Sequence, residues 1–221
     1  MTGQTTAVTT GVTMRTTRAD ATRELILTAA ERLFAENGVF AVSNRQVSEA
    51  AEQGNNTAVG YHFGTKNDLV RAIARKHSAQ IEEIRQRMLA DLDEDADLRA
   101  WISCLIRPTT EHLAEQGSPT WFARFNAQAM TDPALREIMV EECHSSPSLV
   151  RILAGIHRCL PDLPDDVRTE RRAMARLLMV HMVAERERAL ADGTPTARST
   201  WQDTADGLVD ALVGLWMAPV N

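Results

Sequence analysis

Cysteine is scarce in this 221-residue chain: Cys104, Cys143 and Cys159 are widely spaced, odd in number and without a C-x-x-C pair. That excludes a secreted disulfide framework. Glycine (11) and proline (8) are too few for a collagen-like or low-complexity chain. Apolar runs are short. The run over 177–180 stops at His181, far below the roughly 20 residues of a membrane helix. The first residues are rich in Thr and Gly and lack the apolar stretch of a signal peptide. A reduced, soluble, cytoplasmic protein is therefore expected, with no membrane partner. Catalytic signatures are also missing. There is no G-x-S-x-G, Walker loop, G-x-G-x-x-G or H-E-x-x-H, and no close Cys/His cluster. This reading expects no enzyme, no cofactor and no metal.

What is present is an ordinary globular composition, 44% hydrophobic and 24% charged, with a net charge of −6. The length suits one or two domains with a sizeable core. A net negative charge excludes a uniformly basic DNA coat, but the charge is uneven. Residues 1–77 carry nine Lys and Arg against seven Asp and Glu, whereas residues 78–221 carry 15 against 23. Any polyanion-binding surface is expected at the N-terminal end.

The pattern along the chain is helical throughout. Residues 1–18 read as a mobile arm, with Arg15 and Arg18 at its end; it is either a solvated tail or a basic arm reaching a DNA groove. From Asp20, Leu25, Ile26, Ala29, Leu33 and Phe34 recur on one face of a 3.6-residue period, and Asn37-Gly38 supplies the stop. Ser43 caps a short second helix. A turn at 53–56 precedes a very short helix over 56–63, and Thr65 caps a long one over about 66–89. The acidic segment 91–97 is a natural boundary. Asp132-Pro133 and Ser146-Pro147 open two later helices, and two long helices over about 167–191 and 199–217 close the chain. No segment alternates as a strand does. The fold class expected is all-α, with about nine helices.

Residues 43–63 match a helix-turn-helix pattern. The second helix is too short to stand alone and too polar on one face to be good core. It suits a major groove about 12 Å wide. Asn55, Asn56 and Thr57 lie at its N-terminus, where recognition helices meet base edges. Gly60 allows close backbone approach. Tyr61 and His62 are candidates for phosphate oxygens, and Lys66 adds charge at the next helix start. Ser43, Asn44 and Arg45, at the start of the second helix, complete the candidate DNA-binding set. Phe63 reads as a wedge between the small helices.

These residues carry a family resemblance. Residues 22–38 resemble the first helix of TetR-family repressors, and residues 59–69 resemble that family's recognition-helix end and following cap. The resemblance implies a homodimeric, ligand-responsive repressor of a palindromic operator in double-stranded DNA. It makes Arg45 a base or backbone contact, Asn56 and Thr57 base readers, and Tyr61, His62 and Lys66 phosphate clamps. One departure stands out. The family usually has Gly soon after the Ala-Ala of its second helix, but here Glu52 follows Ala50-Ala51 and Gly54 comes two later. The expected division is an arm (1–18), a helix-turn-helix domain (19–66) and an effector-binding and dimerisation domain (67–221).

Within the last of these, Trp101, Trp121, Phe122, Phe125, Met139, Met174 and His181 are candidates for a pocket taking a small apolar or aromatic effector; ordinary core is the competing reading. His181 and Glu185, four apart, are also candidates for a subunit interface. Leu177, Leu208, Leu212 and Leu215 are the candidate dimer interface. His77, His112, His144 and His157 read as surface or internally satisfied groups. Two alternatives remain open: an all-α small-molecule binder or enzyme in which residues 20–75 are a packed cap, and an activator in place of a repressor.

Overall fold

A computed structural model describes residues 18–54, 57–93, 95–144 and 146–220. The predicted arm over 1–18 falls outside them except for Arg18, which already opens the first helix.

Ten helices and no strand occur among the described residues, where the sequence suggested about nine helices. They are α1 (Arg18–Asn37), α2 (Asn44–Ala50), α3 (Ala58–Phe63), α4 (Lys66–Ala90), α5 (Leu98–Glu115), α6 (Phe122–Thr131), α7 (Pro133–His144), α8 (Pro147–Cys159), α9 (Asp165–Ala191) and α10 (Trp201–Met217). Side-chain caps set most starts. Ser43 with Gln46, Thr65 with Asp68 and Thr200 with Asp203 form complete capping boxes for α2, α4 and α10. Asp97 and Ser146 cap α5 and α8, and the Asp132 carboxylate accepts from the Ala134 and Leu135 amides at the start of α7. Gly38, at φ +86°, ends α1 in the left-handed conformation that glycine adopts without strain.

The three N-terminal helices and the start of α4 share a core of Ile26, Ala30, Phe34, Val47, Val59 and Leu69, all buried. α4 runs out of this core into the larger C-terminal half, where it packs on α5 and α7. There α5 lies along α10 and α8, and α6 lies between α1, α7 and α9. Trp101 sits at the α5–α8 crossing. A Cβ on Gly155 would fall 2.2 Å from its ring, so only glycine admits the tryptophan there. No helix among the described residues is long and apolar enough to cross a membrane.

Candidate nucleic-acid interface and effector cavity

α2 and α3 present one exposed surface. Ala58, Val59 and Phe63 of α3 are buried, whereas Gly60 is exposed, His62 half-buried and Tyr61 84% exposed. A tyrosine projecting that far contributes almost nothing to the core. Ser43, Arg45 and Thr57 are also on the surface, and Asn44 is half-buried. Asn55 and Asn56 lie outside the described residues.

Three features position this surface, and the sequence did not foretell the contacts that any of them makes. Arg23 of α1 places its guanidinium 4.3 Å from the centre of the Phe63 ring and donates to the carbonyl of His62. It thereby ties the C-terminal end of a six-residue helix to α1. Glu52 occupies the turn after α2 at φ +55°. Its amide donates to Glu49 O and that of Gln53 to Ser48 O, each at 3.0 Å. This is a Schellman cap with glutamate where glycine is the usual residue. The departure noted in the sequence is therefore absorbed by the backbone of Glu52, not by Gly54. Arg45, finally, is held along α2 by Glu49 at 2.7 Å, a bond that also raises its pKa.

Lys66 differs from its expected role as a phosphate clamp. Its ammonium donates to the carbonyls of Val39 (3.1 Å) and Val42 (2.6 Å), and burial lowers its pKa. The cation is directed into the α1–α2 connection and fixes that loop on the start of α4.

Behind this surface lies a buried polar chain linking α1, α4 and α5. His77 Nε2 is 2.8 Å from Glu31 Oε2, and His77 Nδ1 is 2.8 Å from His112 Nε2. With both rings neutral, His112 Nε2–H donates to His77 and His77 Nε2–H donates to Glu31. Burial, then the proximity of His77 and Lys76, lowers the pKa of His112 to about 4. Phe122 stacks on His77, with ring centres 3.9 Å apart. These histidines are satisfied, as expected, but they are not surface groups. The signal for His77 was available but unused: it lies four residues from both Ile73 and Ile81, on the buried stripe of α4.

Phe122 also lines a cavity of about 690 Å³ among the helices of the C-terminal half. Its walls include Leu105, Ile106, Met139, Ile156 and Met179, with Arg85, Arg168, Arg172, Arg176, Asn126 and His157 as polar members. Phe122, Asn126 and Met130 of α6 face it at spacings of four, while Phe125 of the same helix stacks on Phe34 of α1 at 6.2 Å. The N-terminus of α6 is held by a carboxylate from another helix. Buried Glu187 of α9 accepts from the amides of Ala123 (3.1 Å) and Arg124 (2.9 Å).

Of the residues proposed from sequence for the pocket, Phe122 and Met139 line this cavity. The other five do not. Trp101 is packed on Gly155, and Phe125 is wholly buried against α1. Trp121 borders a separate cavity of about 90 Å³ beside His77 and Lys76. Met174 and His181 are exposed on the opposite side of α9. The proposed dimer residues also divide. Leu208 and Leu212 are buried within this chain, Leu208 lining the cavity, so they are not available to a second subunit. Leu177 is exposed and Leu215 half-buried.

Comparison with known proteins agrees with this arrangement. The profile described as bacterial regulatory proteins, tetR family, matches residues 26–73, and that of the tetracyclin repressor-like C-terminal domain matches residues 103–214. The chain belongs to the TetR family. That family is one of bacterial regulatory proteins. A curated relative, the HTH-type transcriptional repressor AcnR of Corynebacterium glutamicum, is 28% identical over 120 residues, which is 52% of this chain and 62% of that protein. The chain thus spans less than two thirds of this relative's length. The fold is shared with a TetR family transcription regulator of Marinobacter aquaeolei VT8 (TM-score 0.58, 15% identity, 90% of this chain and 95% of the other). It is also shared with the multidrug binding protein EbrR complexed with ethidium (TM-score 0.52, 21% identity, 88% and 97%).

Proposed function

We propose that this TetR-family chain is a homodimeric repressor that leaves a palindromic operator when a small molecule enters the cavity bordered by Phe122. The observation that carries the DNA-reading half is the exposure of Tyr61 on α3, whose apolar side is otherwise buried. Each subunit sets α3 in a major groove, with Asn55, Asn56 and Thr57 toward base edges and Tyr61, His62 and Arg45 toward phosphates. Half-sites one helical turn apart, about 34–36 Å, suit a two-fold dimer.

The effector half rests on continuity between cavity and reading head. Phe122 touches both the cavity and His77, and Phe125 on the next turn of α6 rests on α1. A ligand that displaces α6 therefore acts on α1 and α4 together. Effector and operator then weaken each other reciprocally, typically by about 1–3 kcal/mol of coupling. Dimerisation is supported by the outward face of α9. Met174 and Leu177 are exposed there, opposite the face that lines the cavity, and Leu215 of α10 is half-buried. EbrR, which shares the fold, is complexed with ethidium; the present cavity of about 690 Å³ lies within the usual range of about 300–1,000 Å³ for small-molecule sites.

The test is selection of fragments from sheared genomic DNA of the source at near-physiological salt, with Arg45→Ala/Tyr61→Ala alongside the wild type. A few enriched fragments sharing a palindrome, lost with the double variant, are expected. Replacing Arg45 alone should reduce the salt slope of binding by about one. Uniform, weak recovery by both proteins would overturn the operator reading.

A further inference from the structure

The chemistry of the cavity wall narrows the effector class, taking as its basis the reading that this cavity is the effector site. The chain carries a net charge of −6, and its acidic excess lies in the C-terminal part. Yet among the described residues no Asp or Glu lines the cavity, whereas four arginines do. Two of these are occupied from outside it. Arg85 donates to Glu82 and Ser146. Arg168 donates to the Leu163 carbonyl and lies 3.7 Å from Asp165.

Arg172 and Arg176 differ. Each lines the cavity, and neither has a hydrogen bond or ion pair with any described residue. The neighbouring Arg171, one position away on another face of α9, is buried and donates to the carbonyls of Trp216 and Ala218. Arg171 is thus tied down within the fold, whereas Arg172 is exposed and Arg176 half-buried, each with its guanidinium uncommitted. They stand one turn apart, on the face that brings Ala175, Met179 and Val183 to the cavity. Like charges at that spacing repel each other only weakly on a solvated face, and an anion held by both relieves that repulsion. Guanidinium groups match a carboxylate in a planar, two-point geometry. The walls from α5 and α8 are mainly apolar, with Leu105, Ile106, Leu153 and Ile156, and add only Thr109 and His157 as polar groups.

We infer that the cavity takes an amphiphilic carboxylic acid, with its carboxylate on Arg172 and Arg176 and its apolar body against α5 and α8. A neutral or cationic molecule of the same shape lacks the partner these arginines need.

Calorimetric titration with dodecanoate, dodecan-1-ol and dodecyltrimethylammonium, each below its micelle threshold, tests this on the full chain. The acid is expected to bind roughly 10- to 100-fold more tightly than the alcohol, and the ammonium compound most weakly. In Arg172→Gln/Arg176→Gln that preference should vanish, while the alcohol binds as before. Neither arginine has an internal partner, so the unfolding temperature of this variant should match the wild type. Arg172→Lys/Arg176→Lys should keep part of the preference.

Equal affinity for acid and alcohol, or a preference that survives the Gln substitutions, overturns the carboxylate assignment and leaves the effector cavity standing. So does a change of association state in the Gln variant, which would place the arginines at the subunit contact. Absence of binding by all three probes, with no shift in unfolding temperature, counts against the cavity as an effector site and so against both readings.

Discussion

At the scale of single residues, the reading head shows where local chemistry was legible and where it was not. The capping serines and threonines announced their helices because a hydroxyl or carboxylate at that position satisfies an otherwise orphaned amide. Glu52 gave no such signal, because glutamate is not expected in the left-handed region; tertiary context holds it there at φ +55°. The conformation costs a non-glycine residue about 1–2 kcal/mol. Its side chain is exposed, so glycine at this position removes strain without opening a cavity. Glu52→Gly is therefore expected to raise stability by about 1 kcal/mol, less the entropy that glycine recovers in the unfolded chain. Urea unfolding reads this directly, as a higher midpoint at an unchanged slope. A lower midpoint would show that the glutamate side chain contributes more than its backbone costs. Arg23 and Lys66 were illegible for another reason. Their partners, the His62 carbonyl and the carbonyls of Val39 and Val42, are backbone atoms 24 to 39 residues away, and no spacing rule within one helix reports them.

At the scale of elements, the helices and most of their ends were readable, but not which face of α9 turns inward. Met174, Leu177, His181 and Glu185 form an apolar-rich stripe, and a stripe of that kind ordinarily faces the core. Here it is exposed, and the face lining the cavity carries half-buried Arg168 and Arg176 and exposed Arg172 beside Ala175, Met179 and Val183. Hydrophobic periodicity cannot distinguish a face awaiting a second subunit from one already buried, and it discounts arginines that border a cavity. The junction of α1, α4 and α5 carries the opposite lesson. Its polar chain from Glu31 through His77 to His112 joins three helices that are far apart in sequence. Because the pKa of His112 falls from 6.5 to about 4 on folding, the unfolded chain binds its proton first. This group's contribution to stability is thus complete above pH 6.5 and is lost as pH falls toward 4. By pH 5 the loss is about 2 kcal/mol. Unfolding curves of wild type and His112→Gln at pH 7 and pH 5 should therefore converge on acidification, since glutamine does not titrate. Parallel losses in the two proteins would show that other groups carry the acid sensitivity.

At the scale of the whole molecule, charge and shape point the same way. The N-terminal third holds the positive balance and the reading surface, while the acidic remainder repels a polyanion. Under the proposed function DNA meets this N-terminal end, and the exposed face of α9 around Leu177 is the surface for a second copy. A single α3 offers few base contacts. Linking two of them through a rigid interface makes the second contact effectively intramolecular, worth about 10²- to 10⁴-fold in affinity when the spacing fits. That argument yields a sharp expectation for Leu177, which is 47% exposed and contributes little to the fold of its own chain. Leu177→Asp should leave the unfolding temperature of a monomer nearly unchanged yet place two carboxylates against each other across a two-fold axis, where neither has a partner. Sedimentation at micromolar concentration should then show a monomer, and affinity for the full palindrome should fall by about 100-fold or more, while affinity for an isolated half-site stays within a factor of about two. If the variant remains a dimer, the subunits meet through another face. If it becomes a monomer yet holds the palindrome as tightly as before, a single reading head suffices, and the spacing of the two heads is not what an effector would alter.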